Sequence, residues 1–268
     1  MIEKRLSIIG SGQMGEALLK GFIKSGVIEA SQVLLSDIDE KRLEVLKSKY
    51  GVETTADNNK AVKSSDIILL SVKPQHIEQV LTNARGEFSE DKLVISIAAG
   101  VTTEKIHQLI GKDLAIIRVM PNTPALVGKA MSVISRGKFA SANSVEVALQ
   151  LFSSVGEVVE LGENQQNVAT AISGSGPAYF FLMIEALVEA GVKAGLGKEI
   201  ASRLAIQTMA GSAALLQETG RSPDDLREMV TSPGGTTAAA LQVFSNREFR
   251  FIVQEAVEAA IKRAGELA

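Results

Sequence analysis

The sequence predicts an α/β fold: a doubly wound, mainly parallel sheet over residues 1–161, followed by an all-helical segment over residues 162–268. Three observations carry this. In the first half, short β-branched runs that are apolar on both faces alternate with longer stretches that are polar on one side only. That is the pattern of repeated βαβ units, whose helices cover both faces of the sheet. A glycine-rich turn follows the first of these runs at once. Beyond about Leu161 there is no convincing strand, and Ala, Leu, Glu and Gly dominate.

Taken in chain order, strands are expected at 6–9, 33–36, 67–71, 93–97 and 116–120, with helices between them at 13–25, 40–50, 59–64, 75–84 and 103–110. A strand at 130–135, a helix at 144–154 and a strand at 157–161 complete this half, and the pattern leaves open whether these last strands pair parallel or antiparallel. In the second half helices are expected at 165–172, 178–194, 198–220, 224–229, 236–245 and 249–266. Their separators are Gly174-Ser175-Gly176-Pro177, the stretch 195–197, the stretch 221–223 and the stretch 232–235, where Gly and Pro punctuate the chain. The segments 178–194 and 204–216 are small and apolar around most of their circumference. A domain of about a hundred residues cannot hide that much apolar surface, so a partner subunit is expected.

Composition narrows the function. Of 268 residues 46% are hydrophobic, 22% charged and 4% aromatic, the profile of a soluble globular protein. A formal charge of -3 is too balanced for binding that depends on neutralising nucleic-acid phosphates. With no cysteine there are no disulfides, thiolate nucleophiles or thiolate metal sites. His76 and His107 lack a second imidazole at ligand spacing, so no metal site is expected. The N-terminus lacks a signal-peptide pattern, and the longest apolar run, 178–190, is cut by Glu185 and Glu189. It reads as too short and too acidic to span a bilayer, and the chain is expected in the cytoplasm, away from membranes.

Gly10-Ser11-Gly12-Gln13-Met14-Gly15 closes the first strand and opens the first helix. The first glycine permits the tight turn, the second lets backbone approach a pyrophosphate, and the third lets helix pack on strand, while the helix N-terminus faces the anion. Asp37 lies 22 positions beyond Gly15, at the end of the second strand, as the dinucleotide fingerprint requires. The first half is therefore read as Rossmann-like, binding NADH or NADPH. Asp37 favours NADH by accepting from the ribose and repelling a 2′-phosphate. Ser36, Lys41 and Arg42 lie close enough to offer a hydroxyl and cations to that phosphate, or else form a solvated helix face. The preference stays open.

Ligands of open α/β sheets sit at the carboxyl ends of strands, so two further loops should meet the cofactor: Val72-Lys73-Pro74 and Ala98-Ala99-Gly100. Met120-Pro121-Asn122-Thr123-Pro124 closes the next strand, with Asn122 able to hold a polar ring substituent. In the helical half, Ser232-Pro233-Gly234-Gly235-Thr236-Thr237 gathers hydroxyls and glycines at a helix start. Its amides form a cradle for a carboxylate, unless it is only a capped start with Ser232 at the N-cap and Pro233 at N1.

These motifs, with Gly174-Ser175-Gly176-Pro177-Ala178-Tyr179, resemble those of pyrroline-5-carboxylate reductase over nearly the whole chain. The resemblance implies hydride transfer from a reduced nicotinamide to the C=N carbon of 1-pyrroline-5-carboxylate, giving L-proline, the last step of proline biosynthesis. A protonated imine is a good hydride acceptor, so the site must hold the carboxylate, orient the ring at about 3–3.5 Å and exclude water. No His or Cys is needed. By motif position, Ser232, Gly234, Gly235, Thr236 and Thr237 bind the substrate carboxylate, with Thr237 near the ring nitrogen as a proton donor. Glu218 matches an acidic residue near the amine side, and Asn59 an asparagine that contacts the cofactor, although Asn59 also reads as a helix N-cap.

The resemblance further implies that residues 162–268 form an interlocked dimerisation domain, so that the partner is a second copy, in a homodimer or an assembly of dimers. Asp37 departs from it, sitting where cofactor-discriminating residues lie. The nearest rival, a β-hydroxyacid dehydrogenase, needs a lysine on the helix after its second glycine turn, and the stretch 176–183 has none. A nucleotide sensor without turnover would not need the hydroxyl-rich loop.

Overall fold

The computed structural model describes residues 2–266. Contacts divide the chain into two compact units, one holding residues up to 175 together with those from 260 on, the other holding 176–259. In the first unit the order is β1 (Leu6–Ile9), α1 (Gln13–Ser25), β2 (Val33–Ser36), α2 (Glu40–Tyr50), β3 (Glu53–Thr55), α3 (Asn58–Lys63), β4 (Ile67–Leu70), α4 (Pro74–Asn83), β5 (Leu93–Ser96), α5 (Thr103–Ile110), β6 (Ala115–Met120), β7 (Ala130–Arg136), α6 (Ala142–Ser153), β8 (Gly156–Glu160) and α7 (Gln166–Ala169).

The strands form one sheet in the order β3-β2-β1-β4-β5-β6-β7-β8. All neighbours run parallel except β6 and β7. The chain leaves β1 toward β2 and β3 on one side and returns to β4 on the other, so the order reverses between β1 and β4, which is where open α/β sheets bind ligands. The pairing left open by the sequence follows from the connections. β6 reaches β7 through a single short 3₁₀ turn, too short for a crossover, and the pair is antiparallel; β7 reaches β8 through α6, and that pair is parallel. One strand went unforeseen. β3 is a three-residue, polar, partly exposed edge strand whose pairing to β2 gives no apolar signature.

Both faces of the sheet are covered. Leu6, Ile8, Leu35, Leu69 and Ile95 pack with Leu18, Phe22 and Phe152 on one side; Ile9, Leu34, Ile68, Leu70 and Val94 pack with Ile77, Leu81 and Ile106 on the other. Phe22 of α1 meets Phe152 of α6 edge to face, with ring centroids 5.9 Å apart. Each large apolar side chain fully buried here contributes about 1.5–3 kcal/mol.

The second unit is helical: α8 (Gly176–Lys193), α9 (Lys198–Thr219), α10 (Pro223–Met229), α11 (Thr236–Asn246) and the larger part of α12 (Phe249–Glu266). The expected break at Gly174-Ser175-Gly176-Pro177 is corrected. Instead of a loop, a π turn over Thr170–Gly174 joins α7 to α8, with the Ser175 amide bonded to the Thr170 carbonyl at 2.8 Å. The wider turn lets the chain carry Pro177 inside a helical run, although proline has no amide hydrogen to give.

That continuity corrects a second expectation. The helical run extends from Glu163 to Lys193, 31 residues, long and apolar enough by length and composition to cross a membrane, and only 11% of its most apolar stretch is buried. Reading the run as beginning at 178 made it too short. Phe180, Phe181 and Leu182 are each more than half exposed, as are Ile206 of α9 and Phe251 and Ile252 of α12. Met183, Leu187, Leu241, Phe244 and Phe251 line a groove of about 1000 Å³ in this unit. The apolar excess read from the sequence is present on the surface.

Candidate active site

The loops after β1, β4, β5 and β6 leave adjacent parallel strands at the same edge of the sheet. Gly10 follows β1 at φ +99°, and a side chain there would lie 2.7 Å from the Ser71 backbone of the loop after β4. A Cβ on Gly15 would stand 2.3 Å from the Gly10 carbonyl oxygen, so this glycine lets α1 seat on the turn. A Cβ on Gly12 would meet nothing within 4 Å. The three glycines thus separate into turn, open face and packing contact. Gly12 and Gln13 are exposed, Ser11 is buried and Met14 packs against the core below. Gly12 caps α1 without a side-chain bond, leaving the helix N-terminus facing the open side.

The loop is held from behind by β2 and α2. Asp37 Oδ2 accepts from the Ser11 amide at 2.6 Å and the Ser11 hydroxyl at 2.7 Å, and its Oδ1 accepts from the Asp39 amide at 3.0 Å. Burial opposes charging Asp37, but these bonds outweigh it and hold its carboxyl below the ordinary carboxylate value. Arg42 Nε donates to the Ser11 carbonyl, and its Nη2 lies 3.0 Å from Glu16 of α1. Lys49 Nζ, at 2.8 Å, and the Tyr50 hydroxyl, at 2.9 Å, complete the ring around Glu16. Glu16 is held below its ordinary value, first by the Lys49 hydrogen bond and then, against its burial, by Tyr50 and Arg42.

Arg42 thus has its Nε and Nη2 turned to partners within the protein, while its side chain stays 34% exposed. Sequence reasoning missed this second role, and the only signal for it was the spacing of Asp39, whose side chain caps α2 at the Arg42 amide. Ser36 is buried and gives its hydroxyl to Asn58 Oδ1 at 2.8 Å. Asn59 is exposed at the second position of α3; the N-cap is Asp57, which accepts from the Asn59 amide, and the cap reading of Asn59 is corrected accordingly.

Along the same edge, Val72 is partly buried, Lys73 is exposed as the N-cap of α4, and Pro74 takes the first helical position. Ala98 and Gly100 are buried and Ala99 partly so, presenting small side chains and backbone. Asn122 is buried with its amide group engaged: Nδ2 donates to the Ser173 carbonyl at 3.0 Å and Oδ1 accepts from the Met131 amide at 2.9 Å.

In the helical unit, Ser232-Pro233-Gly234-Gly235 forms a turn closed by the Gly235 amide on the Ser232 carbonyl at 3.0 Å, with Gly234 at φ +71°. Proline second and a positive-φ glycine third are what a type II turn requires. The N-cap of α11 is thus Gly235, not Ser232, and it offers no side-chain acceptor. The first amides of α11, at Thr236 and Thr237, stand at an uncapped helix N-terminus, with Thr237 partly buried and Ser232 exposed. Glu218 is exposed in the last turn of α9.

Comparison with known proteins agrees with both halves. Residues 163–267 match the family model described as pyrroline-5-carboxylate reductase dimerisation, and residues 5–100 match NADP oxidoreductase coenzyme F420-dependent. A pyrroline-5-carboxylate reductase of Synechocystis is 43% identical over 98% of each chain. Among solved structures, the pyrroline-5-carboxylate reductase of Coxiella burnetii superposes with a TM-score of 0.93 at 37% identity, covering 100% of this chain and 99% of that one. The Plasmodium falciparum pyrroline carboxylate reductase with NADP bound superposes at 0.91 and 33% identity, with the same coverage. With identity of this order running through both the glycine-loop half and the helical half, the chain belongs to the pyrroline-5-carboxylate reductase family.

Proposed function

We propose that this chain catalyses the NAD(P)H-dependent reduction of 1-pyrroline-5-carboxylate to L-proline. The observation that carries the proposal is the full-length match: 43% identity to a pyrroline-5-carboxylate reductase extends over 98% of each chain. Residues 1–161 bind the dinucleotide, and residues 162–268 carry dimerisation and substrate binding.

The residues present fit a dinucleotide. Gly10, Ser11, Gly12, Gln13, Met14 and Gly15 take the pyrophosphate, supported by the empty space over Gly12 and the uncapped start of α1. Ser36, Asp37 and Asn59 lie toward the adenosine, and Val72, Lys73, Pro74, Ala98, Ala99, Gly100 and Asn122 toward the nicotinamide. Once bound, the reduced nicotinamide supplies the hydride. Thr236 and Thr237, with Ser232, Gly234 and Gly235 shaping the turn before them, hold the substrate carboxylate, and the uncapped α11 terminus supports this. Thr237 and Glu218 make the polar contacts to the ring nitrogen that keep the imine protonated.

In the same reading the chain works as a soluble cytoplasmic homodimer or assembly of dimers, its exposed apolar helix faces packed on a second copy instead of a bilayer. The dimerisation match over 163–267 supports this. The experiment is NADH and NADPH oxidation with the pyrroline and, separately, with small 2-keto and 3-hydroxy acids. Consumption with the pyrroline alone is expected. Consumption with the acids alone would move the chain to the dehydrogenase class, and binding without any consumption would make it a sensor.

A further inference from the structure

We infer that this chain selects NADH over NADPH, and that Asp37 sets the preference while Glu16 holds away the arginine that would otherwise oppose it. The inference rests on the reductase reading for its biological meaning, but its chemistry concerns only the pocket beside the glycine loop.

A 2′-phosphate is a dianion that must be received beyond the end of β2, where residues 37–42 lie. Three carboxylates stand there within four positions: Asp37, Asp39 and Glu40. Asp37 is fixed by the Ser11 amide, the Ser11 hydroxyl and the Asp39 amide, so it cannot swing aside to make room. Its carboxylate, acceptor-only when ionised, is the group that a ribose hydroxyl would meet here. The start of α2, which is otherwise a ready site for an anion, is already capped by the Asp39 carboxylate on the Arg42 amide at 3.1 Å.

The cations do not offset this. Arg42 is drawn under the loop by the Ser11 carbonyl and toward α1 by Glu16, and Glu16 also pairs with Lys49. Glu16 thus pairs with both Arg42 and Lys49, and with the Ser11 carbonyl it holds the guanidinium against the protein's own groups. Lys41 is exposed with no ion pair among the described residues, and it is the single cation of this turn left to meet a phosphate. One flexible lysine against three carboxylates favours the dinucleotide that carries a hydroxyl there.

The test is equilibrium titration of the full-length protein with NADH and with NADPH, without the pyrroline, read by calorimetry or nicotinamide fluorescence. Wild type should bind NADH at least about tenfold tighter than NADPH. Asp37→Ser should shrink that ratio about tenfold or invert it. Asp37→Asn removes the charge and keeps one acceptor oxygen for Ser11 at the cost of the Asp39 contact; it should do the same, and a thermal melt run beside it separates a changed preference from a damaged fold, which would lower both affinities together. Glu16→Ala, which removes the acceptor of Arg42 Nη2 with Asp37 intact, should improve NADPH binding relative to NADH by a few fold. Equal or tighter NADPH binding by wild type, or an unchanged ratio in Asp37→Asn, would overturn this inference and leave the reductase reading standing. Binding of neither dinucleotide would overturn both.

Discussion

The side-chain Nδ2 of Asn122 donates to the carbonyl of Ser173 at 3.0 Å. In a continuous helix that carbonyl would receive the amide of the residue four positions on, which is Pro177 and has none. Asn122 therefore satisfies an acceptor orphaned by a proline, while its own oxygen takes the Met131 amide at the start of β7. The loop after β6 and the π turn are fastened to each other by one side chain, itself 8% exposed.

Asn122→Ala should accordingly remove the side-chain partners of a partly buried carbonyl and a partly buried amide and destabilise the fold by about 1–2 kcal/mol. Urea denaturation measures it, and a loss under about 0.5 kcal/mol would mean that water or a shifted backbone replaces the amide.

Gly12 and Gly15 should separate binding from folding. Gly12→Val projects into open space and should leave thermal stability nearly unchanged while abolishing dinucleotide binding. Gly15→Val drives a side chain into the Gly10 carbonyl and should lower the melting temperature as well. If both variants unfold alike, the space over Gly12 is not a ligand space.

Thr237→Val retains shape and loses the hydroxyl. It should reduce kcat/KM for the pyrroline about tenfold or more, with the dinucleotide Kd within about twofold of wild type. Unchanged turnover would remove Thr237 from the site.

Asp37 also links loop order to pH. Its carboxyl is held below the ordinary value of 3.8 in the folded protein, because the Ser11 and Asp39 bonds outweigh burial. A group so depressed contributes its full stability above 3.8 and loses it as pH falls through the lower folded value. Denaturant titrations from neutral pH into this acid range should show a smaller loss in Asp37→Asn than in wild type, and parallel curves would contradict the assignment.

Much of this was legible in the residues, and the exceptions have physical causes. β1, β2, β4, β5 and β6 are buried on both faces, so their sequences carry an unbroken apolar signal. β3 is polar because it is an exposed edge, and its backbone pairing to β2 leaves no mark on side-chain choice. The glycine spacing revealed the loop but not its support, since the bond from Arg42 to Ser11 joins residues 31 apart and depends on how α2 packs. At Ser232 the residue types allowed a cap as well as a carboxylate cradle; the chain used the proline and glycines for a turn and placed the cap three residues later. Pro177 looked like a terminator because the π turn that accommodates it, and the asparagine that answers for its missing amide, lie elsewhere in the sequence.

The most direct test of the central claim follows the transferred atom. Purified protein is given NADH or NADPH deuterated at the reactive C4 position together with 1-pyrroline-5-carboxylate, and the product is examined by mass spectrometry. L-Proline carrying deuterium at the ring carbon that was C=N in the substrate is the result predicted. Unlabelled proline, or no proline while the dinucleotide binds, would contradict hydride transfer to the imine as the reaction of this site.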